Sequence, residues 1–103
     1  MSKQITADEQ ERLARYAKAL GHPTRVAIMC FLAKQKECYF GAINDALPIS
    51  KATVSQHLKE LKEAGLIHGE VETPKVKYWI DKDNCAAARK LFEKFSVGIY
   101  TRK

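Results

Sequence analysis

At 103 residues, 46% of them hydrophobic, the chain is long enough to bury one core and too short for two, so a single domain over residues 1–103 is expected. Its longest apolar run, residues 26–33, is far below the roughly 20 residues of a membrane span, and its polar start is unlike a secretory signal, so no membrane association and a cytoplasmic location are expected. A net charge of +6 favours a polyanionic partner only if the cations gather on one element.

Thr6 and Glu9 form a capping-box pair, and Leu13, Tyr16, Ala17 and Leu20 follow at helical spacing, which predicts a first helix over about residues 7–20. Gly21 suits a left-handed helix end, and Pro23 suits the first turn of a second helix capped by His22. Residues 26–33 are apolar on nearly every side, which predicts a central buried helix; a buried strand would show the same pattern, and the preceding punctuation by Gly21 and Pro23 favours the helix. A short helix over about residues 40–46 comes next, then the three-residue break Leu47, Pro48, Ile49, of helix-turn-helix length.

The fourth helix, about residues 50–64, carries the clearest end signals. Ser50 caps it, Ile49 staples against Val54, and Gly65 closes it with Leu66 returning onto Leu61. Two short runs, about residues 66–72 and 76–81, then predict a β-hairpin, since Val76, Tyr78 and Ile80 alternate. Thr73, Pro74 and Lys75 form its tip, with Pro74 at the second turn position. Tyr78 and Trp79 face opposite sides, one toward the core and one bracing the hairpin. A last helix begins near Asp83 and sets Cys85, Ala88, Phe92, Phe95 and Ile99 on one seam, which is expected to meet another helix. The fold class is therefore mainly α with a β-hairpin wing.

The fourth helix also carries the chemistry. Val54, Leu58 and Leu61 make one stripe toward the core, so Ala52, Gln56, Lys59 and Glu63 point away, flanked by Thr53, Ser55 and Lys62. The first half of that outer face has no acids, and its donors are joined by the amides and positive dipole end of the helix N-terminus. An ordinary amphipathic helix also shows a solvated polar face, but here a helix-turn-helix break precedes it and a hairpin with Lys75 and Lys77 follows. Together these make a surface suited to double-stranded DNA. Lys51, Thr53, Ser55 and Gln56 are the expected base-reading residues; Arg25, Ser50, Lys59, Lys75 and Lys77 are the expected phosphate contacts, and His57 either joins them or covers the edge of the core. No Gly-rich phosphate loop, nucleophile elbow or carboxylate pair suggests an enzyme. A protein-interaction module of the same fold would keep this face neutral or acidic.

Three stretches, ALGHPTRVAIMCFL over residues 19–32, ISKATVSQHLKELKEAGLI over residues 49–67 and KVKYWI over residues 75–80, resemble the ArsR-type family of winged helix-turn-helix regulators. The resemblance implies repression of nearby genes, often relieved by an effector, a homodimer through the first and last helices, and a phosphate contact for His57. Leu13, Leu20, Ala88, Phe92 and Phe95 would form the dimer seam. Two recognition helices about 34 Å apart would then meet successive major grooves of a near-palindromic operator.

The effector sites of relatives are not carried over. Their Cys-x-Cys metal pair falls on Tyr39 and Gly41, and the last helix has no His for their second metal site, so no metal and no cofactor are expected. Cys30 stands where thiol-sensing relatives keep one of two cysteines, but residues 95–103 supply no second, and Cys85 lies about three turns too early. Cys30 and Cys85 are therefore expected to be packing residues and Cys38 the most exposed thiol, with a divergent thiol- or metal-responsive site as the alternative.

Overall fold

The computed structural model describes residues 4–100, so the ends of the expected domain, residues 1–3 and 101–103, lie outside the described residues. Five helices and three strands follow the expected order with one addition: α1 (Ala7–Ala19), α2 (Pro23–Ala33), β1 (Cys38–Tyr39), α3 (Phe40–Asp45), α4 (Lys51–Glu63), β2 (Ile67–Glu72), β3 (Lys75–Ile80) and α5 (Lys82–Tyr100). Local chemistry sets most of the ends. Glu9 N–H donates to Thr6 Oγ1 at 3.2 Å and Thr6 N–H to Glu9 Oε1 at 3.0 Å, the reciprocal capping box. His22 Nδ1 accepts from Thr24 N–H at 3.1 Å, ahead of Pro23 at the start of α2. Ser50 Oγ accepts from Thr53 N–H at 3.2 Å, and Asp81 Oδ1 accepts from Asn84 N–H at 2.8 Å to open α5.

The C-terminal end of α4 is a full Schellman motif: Leu66 N–H donates to Leu61 C=O at 3.1 Å and Gly65 N–H to Lys62 C=O at 2.9 Å. Gly65 has φ +86°, and a Cβ there would stand 2.9 Å from Asn84 Nδ2, the group that donates to Gly65 C=O. Gly65→Ala is therefore expected to destabilise the fold by about 1–2 kcal/mol, the cost of a left-handed L-residue, seen as a lower denaturant midpoint with an unchanged slope. Gly21 behaves otherwise than expected. It does not adopt a positive φ, because Leu20 and Gly21 N–H groups already close α1 onto Tyr16 and Lys18 carbonyls. Its value is space, since a Cβ would lie 3.2 Å from Ala17 C=O.

The sheet is antiparallel in the order β1-β3-β2. Cys38 pairs with Tyr78, and Gly69 with Tyr78 on the other side, so Cys38, Gly69 and Tyr78 share the core face. The second face carries Tyr39, Glu70, Lys77 and Trp79 by the same register, as the alternation of Tyr78 and Trp79 requires. A Cβ on Gly69 would come 2.8 Å from the Tyr78 ring, so the missing side chain seats that ring. Pro74 occupies the third position of the turn between Glu72 and Lys75, with a cis Thr73–Pro74 bond, in place of the expected second position.

One apolar cluster joins the layers. Leu13, Tyr16 and Ala19 of α1, Ile28 and Leu32 of α2, Ile43 of α3, Val54, Leu58 and Leu61 of α4, and Ala88 and Leu91 of α5 all enter it. Two expectations are reversed here. α2 is not buried all round: Ile28 and Leu32 point inward, while Val26 is 45% exposed and Cys30 is exposed. Ile28 and Leu32 make an i, i+4 stripe toward the core, Met29 and Phe31 pack partly buried beside it, and Val26, Ala27, Cys30 and Ala33 face outward. Cys38, expected to be exposed, is buried because pairing of β1 with β3 turns it toward the core. Cys85 packs as expected, half-buried with its thiol 3.5 Å from Leu66 C=O of the same chain.

Candidate nucleic-acid interface

The amphipathic division of α4 holds in three dimensions. Val54, Leu58 and Leu61 are at most 1% exposed, and Lys51, Ala52, Thr53, Ser55, Gln56, Lys59, Lys62 and Glu63 face solvent. There is no acid in its first turn. The N-terminal side chains are partly ordered among themselves: Ser50 Oγ and Thr53 Oγ1 lie 2.9 Å apart, and Gln56 Nε2 donates to Glu60 Oε2 at 3.0 Å. Glu60 thus draws the Gln56 amide back along the helix, leaving its carbonyl oxygen open as an acceptor.

Two of the expected phosphate contacts are drawn inward. His57 is 7% exposed because it sits one step beside the Val54 and Leu58 stripe. Its Nδ1 accepts from Arg25 Nε–H at 3.1 Å, and its ring lies 4.4 Å, centroid to centroid, from that of His22. Burial first, then the proximity of His22 and Arg25, lowers the His57 pKa against a smaller opposing pull from Glu60. The ring is thus turned toward the interior with Nδ1 already accepting a hydrogen bond. Arg25 is likewise part-buried, with Nη1 donating to the carbonyls of Lys18 and Ala19 at 3.4 Å. It neutralises the negative end of α1, as a cation there should.

The hairpin divides as well. Lys75 is exposed at the tip, its ammonium 5.0 Å from the centre of the Tyr39 ring. Lys77 is not free to meet a phosphate: its Nζ lies 2.7 Å from Glu72, 3.5 Å from Glu37 and 4.0 Å from Glu70, with 16% of its side chain exposed. Its charge is locked on, since the hydrogen bond with Glu72 raises its pKa. Glu72 is held below the usual carboxylate range by Lys77 first and then by Tyr39, whose hydroxyl donates to Glu72 at 2.8 Å. Sequence reasoning missed this cluster because its members come from three strands, one of them only two residues long, and from Glu37 just before the first.

Still open to solvent are the N-cap Ser50, Lys51, Thr53, Ser55, Gln56 and Lys59 on α4, and Lys75 on the wing. Ser55 and Lys75 line the same groove, together with Tyr39, Phe40 and Pro74, so helix and wing are co-aligned. Among the described residues no group of three or more His, Cys, Asp or Glu side chains is placed to hold a metal, and no helix is long and apolar enough to cross a membrane.

The expected dimer seam also divides. Leu13 and Ala88 are 8% and 5% exposed within the single chain, so they pack α1 against α5 inside the subunit, where Lys94 also pairs with Glu9 at 2.8 Å. Leu20 and Phe92 are half-buried and Phe95 is 40% exposed. Phe92 and Phe95 line a shallow apolar cleft with Ile5, Ala14 and Ala17.

Residues 22–68 match the family model described as bacterial regulatory protein, arsR family. The chain is 33% identical over 86 residues to an HTH-type transcriptional regulator of Methanocaldococcus jannaschii, covering 84% of this chain and 97% of that one. It is 41% identical over 61 residues to the HTH-type transcriptional repressor SmtB of Mycobacterium tuberculosis, covering 59% of this chain and 44% of the repressor. The crystal structure of an ArsR family transcriptional regulator superimposes with a TM-score of 0.78 at 18% identity, over 91% of this chain and 96% of the other, which shows the same fold. With a helix-turn-helix, a capped and solvent-facing fourth helix, a wing, and a relative matched over nearly its whole length, this chain belongs to the ArsR family of DNA-binding transcriptional regulators.

Proposed function

We propose that the protein is a homodimeric repressor that lays α4 of each subunit into the major groove of a near-palindromic operator, with the wing on the adjacent backbone. The observation that carries this reading is the acid-free, donor-rich N-terminal half of the outer face of α4, in line with Lys75 at the wing tip. Lys51, Thr53, Ser55 and Gln56 are the base-reading candidates. Ser50, Lys59 and Lys75 are the phosphate contacts that the geometry leaves available, and phosphate contacts fix register without carrying sequence information. Repression is supported by similarity to a named repressor.

The dimer is supported by what the single chain leaves uncovered. Its extents of 53 × 24 × 22 Å describe an elongated body, and the last turns of α5 expose Phe95, Ile99 at 59% and Tyr100 at 88% beside the cleft on α1. Exposed apolar side chains gathered toward one end of a helix in a small protein mark an association surface.

Fluorescence titrations against the duplex upstream of its own gene, at several salt concentrations, test the assignment. Lys75→Ala is expected to weaken binding to all sequences alike and to lower the salt slope by about one, whereas Lys77→Ala, whose charge is already met by carboxylates, should leave the slope nearly unchanged. Gln56→Ala should relax specificity at one base position by about 1–3 kcal/mol. A salt slope near zero for the unsubstituted protein would refute the assignment.

A further inference from the structure

Between α1, α2 and α4 lies a polar junction that DNA contact does not use. Arg25 sits at its centre, and its guanidinium joins three elements: Nε–H to His57 Nδ1 on α4 at 3.1 Å, and Nη1 to the carbonyls of Lys18 and Ala19 at the end of α1 at 3.4 Å. His22, which caps α2 through its own Nδ1, lies against the His57 ring at 4.4 Å. We propose that Arg25 and His57 are positioning residues for DNA binding, a clamp that sets the recognition helix against the α1 and α2 frame and opens when His57 takes up a proton. The inference rests on the DNA-binding reading above.

The reason is the proton inventory of imidazole. In neutral His57 the acceptor nitrogen is Nδ1 and the hydrogen is on Nε2, so a second proton has only Nδ1 to occupy. That is the nitrogen Arg25 already uses. Protonation therefore removes the acceptor and sets an imidazolium, 7% exposed, directly against a guanidinium. The groups facing His57 are His22 and Arg25 from α2 and Glu60 from its own helix. Two of the three oppose the charge, and burial opposes it further, so the folded chain holds His57 neutral below the ordinary imidazole range.

The sign follows from linkage. A histidine with a lowered folded pKa leaves the unfolded chain binding more protons, so the clamped state has its full stability above the unfolded value of about 6.5 and loses it as pH falls from there toward the lowered value. α4 is anchored by three apolar side chains along its length, whereas His57 and Arg25 tie it polar-to-polar to the helix expected at the dimer axis. Loss of that tie changes the aim of α4 before it unfolds the domain. The predicted effect runs against the usual trend, because added positive charge on a DNA-binding protein tightens its hold on phosphates.

The test compares the unsubstituted protein with His57→Asn, which keeps an acceptor oxygen near the Nδ1 position and does not titrate. DNA affinity at fixed ionic strength is measured from pH 7.5 to 5.5, and the histidine rings and the backbone amides of Ala19, Leu20, Lys59 and Glu60 are followed by NMR without DNA. The unsubstituted protein should lose about tenfold in affinity, within the usual range for coupled sites, while His57→Asn stays flat or tightens slightly. The amides on both helices should move with the His57 ring in the unsubstituted protein alone. In Arg25→Met, which frees Nδ1, His57 should titrate at a higher pH than in the parent. Parallel pH profiles for parent and His57→Asn, or amides that do not follow the His57 ring, would overturn the clamp. Absence of DNA binding at pH 7.5 would instead overturn the DNA reading, and the NMR titration would then decide the clamp by itself.

Discussion

Phe95→Glu is expected to convert the protein to a monomer and to cut its affinity for a two-half-site operator by about 10²-fold or more, without unfolding it. Phe95 is 40% exposed in the single chain, so a carboxylate there remains solvated in the monomer and costs little. In a dimer it would have to be buried without a partner, which is prohibitive at an apolar contact. The loss of affinity comes from linkage of half-sites. Once one α4 is seated, the second binds at the effective concentration set by the subunit contact, a gain of roughly 10²–10⁴ that a monomer forfeits. Sedimentation measures the association state, a thermal melt the fold, and a titration with a single half-site the integrity of α4. The dimer assignment fails if Phe95→Glu remains dimeric, or if it becomes monomeric and binds the full operator as tightly as before.

The second large effect is on stability. Leu32 is 0% exposed and lies in the central cluster with Ile28, so Leu32→Ala removes a fully packed side chain and leaves a cavity, at a cost of about 2–5 kcal/mol. Against a total of about 5–15 kcal/mol for a typical domain, that is a large share, and the melting temperature should fall by roughly 10 °C or more. Cys30→Ala, two residues earlier on the same helix, should change stability by no more than about 0.5 kcal/mol, since Cys30 is exposed. Chemical denaturation of the two variants side by side checks which face of α2 is inward. Equal losses would restore the picture of a helix buried on all sides.

Features set by neighbours a few residues apart were legible before any coordinates. Thr6 with Glu9, Ser50 with Thr53, and Gly65 and Leu66 with the Lys62 and Leu61 carbonyls form hydrogen bonds across three to five residues, so their spacing alone specifies them. The division of α4 was legible for the same reason, because helical period fixes which residues oppose Val54 and Leu58. Features decided by contact between distant segments were not. Lys77 looks like an open cation until β1 and β2 bring Glu37 and Glu72 beside it. Arg25 and His57 stand 32 residues apart, and each, taken alone, fits a phosphate ligand; only the folded chain shows that they bond to each other. Cys30 and Cys38 exchanged expected environments because burial depends on which side of an element has a neighbour. Two residues of β1 are too few to show alternation, yet they seat Cys38 in the core and Tyr39 beside the wing.

The surface left after these subtractions is smaller than the one the sequence offered, and it is more sharply placed. It comprises the first two turns of α4, Lys59 and the wing tip. It leaves the outer face of the sheet, with Glu37, Glu70 and Glu72, unsuited to a polyanion.

Backbone amide shifts followed during titration with the duplex upstream of its own gene bear most directly on recognition by α4. The largest changes are expected on residues 50–56, with Lys59 and Lys75 next, saturating at two subunits per duplex. Changes confined to the outer sheet face around Trp79, with residues 50–56 unmoved, would contradict it.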